Sequence, residues 1–255
     1  MRKNTEGIIN VTPEFITQIV ECIASAVGDD IKEDIYSHRL ATQNSTPFRI
    51  WDLLNTKLCG AFQSSDCMAA PTKRGPWEMV VVYDKQSENL FTFMREKRYA
   101  ELHESVNKRK APHYVDALVR VLNAELLAPI GQTSLFQDNP NLTDDETLSS
   151  IVQKVLNNLQ IDSGLVRHHV LVLFESSHFE LNSVRAIMVD SCLNIVTEQD
   201  WSSYIAFEES TIMEQVESQT PANNPTRGLV LKPKATERKK QLHVRKDDVE
   251  ENKEA

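Results

Sequence analysis

The sequence predicts an α+β fold: a small, mainly antiparallel sheet made of two hairpins, covered by helices, followed by a disordered C-terminal tail. Three observations carry this expectation. The runs WEMVVVYD at 77–84 and NLFTFMRE at 89–96 are rich in β-branched and aromatic residues, flank a turn-like segment, and are apolar on both faces, as strands inside a covered sheet are. A second strand pair at 167–174 and 183–190 brackets polar residues around His178. Most helical-period stripes precede or separate these pairs, which disfavours a doubly wound parallel sheet.

Element by element, Thr12 followed by Pro13 and Glu14 is a helix start, because threonine caps a backbone N–H and proline is pre-set for the first turn. Phe15, Ile16, Ile19, Val20, Ile23 and Val27 then form one apolar stripe, and Gly28 stops it. DDIKEDIYSHRL continues as a short second helix, and IWDLLNTKLCGAF puts Trp51, Leu54, Leu58 and Phe62 on one side of a third. Residues 63–76 read as a loop before the first hairpin, whose turn centres near Gln86 and Ser87. That register sets Asp84 opposite Asn89, Glu78 opposite Arg95 and Trp77 opposite Glu96.

A polar helix is expected from Arg98 to Lys110, interrupted by Pro112, ahead of Val115, Leu118, Val119, Leu122 and Leu126 at helical spacing. Thr143 and Glu146 predict a capping box leading into Leu148, Ile151, Val152, Val155, Leu156 and Leu159. After the second strand pair, NIVTEQDWSSYI closes the folded part, with Trp201, Tyr204 and Ile205 docking on the sheet or its edge. One domain is expected over 1–206. Residues 207–255, acidic and then basic, are too poor in core residues to offset their ordering entropy and read as a disordered charged tail.

The chain has 255 residues and a formal net charge of -9, which argues against coating nucleic acid through the overall field but leaves a local basic patch allowed. Cys22, Cys59, Cys67 and Cys192 lack metal-ligand spacing and read as reduced thiols of a cytoplasmic protein. No apolar run is long enough to span a membrane, and the start has no signal-peptide pattern. Glycine-rich phosphate loops, Gly-x-Ser-x-Gly and His-Glu-x-x-His are absent from the sequence. His168 and His169 open a strand and point to opposite faces, so they do not chelate together.

Two readings compete at the outer end of the first hairpin. In one, Arg74, Arg95, Lys97 and Arg98 converge beside a helix start, where guanidinium forks and free N–H groups suit a phosphate or carboxylate on a nucleic acid or an acidic protein. The bland counterpart is that Arg95 pairs with Glu78 and the others are solvated. In the other, Glu78 and Glu96 hold a magnesium ion in a nuclease of the restriction-enzyme-like class. Asp84 is too far along the strand to join Glu96, and Glu96-x-Arg98 supplies arginine where such sites need a lysine. No cofactor is expected outside this magnesium alternative. A third reading makes the chain an antitoxin or defence-complex subunit acting through its tail.

The segments RGPWEMVVVYD, FTFMREKRYAEL, HYVDALVRVLN and QDWSSYI together resemble an uncharacterised family of Firmicute bacterial and prophage proteins, over about residues 12–205. The resemblance implies a mobile-element or phage-conflict setting and carries over no catalytic or binding residue.

Overall fold

A computed structural model of the chain describes residues 9–39, 41–74, 77–106, 108–109, 111–126 and 144–205. Three helices come first: α1 (Pro13–Val27), α2 (Asp29–His38) and α3 (Thr46–Ala61). The Thr12 hydroxyl accepts from the Phe15 N–H at 3.2 Å, and the whole predicted stripe of α1 is buried. Gly28 joins α1 to α2 where a Cβ would lie 2.8 Å from the Ala24 carbonyl oxygen, so only glycine lets the chain turn there without moving backbone.

Strands β1 (Cys67–Arg74), β2 (Trp77–Asp84) and β3 (Asn89–Arg95) form one antiparallel meander, and β4 (His168–Ser177), β5 (Glu180–Val189) and β6 (Ile195–Asp200) form another. The two meanders meet where β3 and β4 run parallel, which makes a six-stranded sheet of order β1-β2-β3-β4-β5-β6. The chain crosses between them through α4 (Glu96–Glu104), α5 (Tyr114–Leu122) and α6 (Asp145–Leu156). The fold is therefore α+β, with a mostly antiparallel sheet covered by helices.

Period-two alternation divides the strands between two cores. Val80, Val82, Phe91, Val170, Val172 and Phe174 face α1 and α3, while Val81, Tyr83, Leu90, Leu171, Leu173 and Ile187 face α5 and α6. Trp201, fully buried, closes the first core, with Tyr204 and Ile205 packed against it. Among the described residues no helix is long and apolar enough to cross a membrane.

Three local expectations are corrected. Residues 67–74, read as loop, form β1, paired with β2 from Cys67 opposite Asp84 to Arg74 opposite Trp77. This segment has little strand propensity and contains Pro71, which a sheet tolerates at an edge where no ladder N–H is required of it. The closing segment carries a sixth strand, β6, that its mixed polarity concealed. The helix after the connector is capped by Asp144, which accepts from the Thr147 N–H at 3.0 Å; Thr143, expected to form the capping box, and the tail from 207 lie outside the described residues. The polar helix begins two residues early, at Glu96, because β3 runs straight into it.

The hairpin register holds at the turn, with Asp84 opposite Asn89, and the Asp84 carboxylate accepts from the N–H groups of Gln86 and Ser87 and from the Ser87 hydroxyl. Its outer end differs. Pairing of β2 with β3 stops at Val82 and Phe91, and the Val80 N–H turns to the Asn55 side chain at 3.1 Å. The expected Glu78–Arg95 and Trp77–Glu96 pairs do not form, because the strands have parted.

Candidate anion-binding groove

At the outer end of β2 lies a cavity of about 610 Å³ lined by Lys73, Trp77, Arg98, Pro112, His113, Tyr114, Ile151, Lys154 and Val155. Three different elements supply its cations: Lys73 from β1, Arg98 from the first turn of α4, and Lys154 from α6. No carboxylate is among the described lining residues. A second cavity of about 530 Å³, lined by Thr72, Lys73, Ser150, Gln153, Lys154, Asn157 and Asn158, shares Lys73 and Lys154 with the first.

The walls are anchored. The Thr72 hydroxyl donates to the Lys154 carbonyl at 3.1 Å, tying β1 to α6. The opposite wall is the start of α5, where the His113 Nδ1 accepts from the Val115 N–H and the Asp116 carboxylate accepts from the His113 N–H at 2.7 Å. Arg109 donates to Asp116 and to the Ser105 hydroxyl, which fixes the α4–α5 connection. The cations themselves are loosely held. Arg98 pairs with Glu101 at 2.9 Å across an exposed helix face, and Lys73 meets Glu78 at 3.9 Å. Surface pairs of this kind contribute about 0–1 kcal/mol, so an anion can displace them.

The sheet separates Arg95 from Arg98. Arg95 leaves β3 on the α1–α3 face, where its guanidinium lies 5.5 Å from the Phe174 ring centre and donates to the Ser176 hydroxyl at 3.2 Å. Burial holds its pKa below the ordinary arginine value. Arg98 lies on the other face, in the groove. Lys97 is exposed and does not line the groove. Arg74 is placed by its backbone, at the end of β1 opposite Trp77. Arg95 is thus engaged within the sheet, and in a structural role Arg95→Ala should cost about 1–2 kcal/mol, from the lost ring contact and hydroxyl bond, in a denaturant titration. Loss of ligand affinity with no loss of stability would contradict that role.

The two acids of the magnesium alternative are also apart. Both oxygens of Glu96 are taken by Arg185 of β5, Nε donating at 3.0 Å, and Arg185 further pairs with Glu198 of β6 at 3.0 Å. The bonds from Glu96 raise the Arg185 pKa above its ordinary value. Glu78 is exposed beside Lys73. Among the described residues no three His, Cys, Asp or Glu side chains gather closely enough to hold a metal ion.

Sequence reasoning missed Lys73, Lys154 and His113 as groove residues. Lys73 stood in a segment read as loop, and Lys154 reaches the groove only because α6 packs beside β1, a contact between residues about 80 apart in the chain.

A model described as Family of unknown function (DUF5986) matches residues 9–249. The chain belongs to the DUF5986 family. The match takes in every groove residue and runs past the boundary near 205 expected from the sequence, so the charged C-terminal stretch is part of what DUF5986 describes. No curated protein and no solved structure matches the chain.

Proposed function

We propose that this DUF5986 protein is a non-enzymatic binding protein whose groove takes a phosphate-bearing ligand through Lys73, Arg98 and Lys154. One observation carries the reading: in a chain of net charge -9, three cations from separate elements line one cavity whose described lining holds no acid. A guanidinium fork beside two ammonium groups and a helix start suits the several oxygens of a phosphate. The setting we propose is a bacterial mobile element or phage-conflict system, in the cytoplasm, on the strength of the family resemblance alone.

The magnesium-nuclease reading has less support, since Glu96 is occupied by Arg185. Action as an antitoxin or defence-complex subunit through the tail draws on the family match reaching residue 249.

Inorganic pyrophosphate titrated calorimetrically into the full chain should bind, and Lys73→Ala with Lys154→Ala should weaken it by at least about tenfold, a charge-assisted contact being worth about 1.5–3 kcal/mol. Equal affinity in the double variant, or displacement by a polyglutamate peptide as effective as by pyrophosphate, would count against the reading.

A further inference from the structure

The geometry points to a single strand of nucleic acid as the occupant of the groove, an inference that rests on the phosphate reading above and narrows it. A closed pocket for a small phosphate ester needs one cavity. Here two cavities, about 610 and 530 Å³, share Lys73 and Lys154 as lining residues. Cations that border both cavities suit successive phosphates of a phosphodiester backbone.

The groove also carries an aromatic surface that a phosphate alone does not use. Trp77 lines the cavity and is 53% exposed, and it stacks on Phe48, also 53% exposed, with ring centres 5.3 Å apart and planes 2° from parallel. Two large rings stacked on each other and left half in water form a platform on which a base can stack, and every base offers a π-face. Beyond the cations, the second cavity presents Ser150, Gln153, Asn157 and Asn158, hydroxyl and amide groups that both donate and accept, as sugars and base edges require.

Charge density favours one strand over two. A duplex carries about one charge per 1.7 Å and is read by neutralising many phosphates, whereas a single strand carries half that along its length. Three groove cations in a chain of net charge -9 match the sparser partner.

The test uses the full chain and fluorescein-labelled oligothymidylate and oligouridylate of about twelve nucleotides, with the matching duplex, uridine monophosphate and pyrophosphate as competitors. Anisotropy should show both single strands binding more tightly than the duplex, with tryptophan emission quenched on binding. The logarithm of affinity should fall with that of salt with a slope of about -2, three contacts at about 0.7 each. Trp77→Ala should weaken the single strands about tenfold and Trp77→Phe much less, while pyrophosphate, which has no base to stack, should lose less affinity than the strands do in Trp77→Ala. Melting curves of the two Trp77 variants verify that the body stays folded. A preference between the thymidylate and uridylate arms separates DNA from RNA.

Tighter binding of the duplex, equal affinity for uridine monophosphate and the twelve-nucleotide strands, or no effect of Trp77→Ala would overturn the inference while leaving the phosphate reading in place. Strand binding unchanged by Lys73→Ala with Lys154→Ala would also overturn it, because the strand would then lie elsewhere on the chain. Failure of pyrophosphate and the strands alike would end both.

Discussion

Asp116→Ala should destabilise the folded body by about 3–5 kcal/mol, the loss that follows when one partner of a buried ion pair is removed and the other is left uncompensated. Asp116 and Arg109 are 7% and 15% exposed, so water replaces little of what the substitution removes. The carboxylate serves two donors at once, the Arg109 guanidinium and the His113 N–H that opens α5. Its loss takes the balancing charge from Arg109 and this acceptor from the His113 N–H together.

Asp116→Asn separates the two contributions. The amide oxygen can still accept from the His113 N–H but no longer balances Arg109, so its loss should fall below that of alanine. Because His113 and Tyr114 form one wall of the groove, both variants should weaken pyrophosphate binding under conditions where they remain folded. Urea unfolding gives the stability difference, and a loss below about 1 kcal/mol for alanine would mean that the pair behaves as a solvated surface contact.

Acidification from pH 7.5 to 5 should cost a further about 2 kcal/mol of stability through His169 alone. His169 is 1% exposed on β4, with Nε2 2.8 Å from the Thr92 hydroxyl and its backbone clamped by Asn123, which donates to its carbonyl at 2.9 Å and accepts from its N–H at 2.8 Å. Burial, and then the neighbouring His168, push its pKa down to about 3. The folded value lies below the ordinary 6.5, so the unfolded chain binds the proton first. The stability is present in full above pH 6.5 and is lost as pH falls toward 3.

His168 shifts in the same direction, through burial and Arg167, with Glu125 opposing, and so steepens the fall. Replacing His169 by Phe together with Thr92→Val removes the titrating ring and the hydroxyl that depends on it. The pH profile of urea midpoints should flatten by about 2 kcal/mol over that interval, above the range where most carboxylates titrate. An unchanged profile would show that the ring is reached by water.

How far the candidate site could be read in advance depends on which contacts are local. Arg98 was legible because it follows a strand directly and opens a helix, and the hairpin turn was legible because Asp84, Gln86 and Ser87 hold each other within four residues. Arg95 was misplaced beside Arg98 because closeness in sequence says nothing about which face of a sheet a side chain takes once β3 gives way to α4. Lys154 was not legible at all: on α6 it is one cation on a polar face, and only the packing of that helix beside β1 makes it part of a groove.

By itself the sequence determined the helices from α1 to α6, the two apolar strand pairs and the burial of both faces of the central strands, because these rest on side-chain periods of 3.6 and 2 within a dozen residues. Tertiary structure decided that a Pro-containing stretch of weak propensity becomes the edge strand β1, that β3 lies parallel to β4, and that β2 and β3 part beyond Val82 and Phe91. Those outcomes depend on hydrogen bonds and burial between segments far apart along the chain, which no local pattern encodes. The groove draws on the first of these outcomes, because β1 brings Lys73 beside Lys154 of α6.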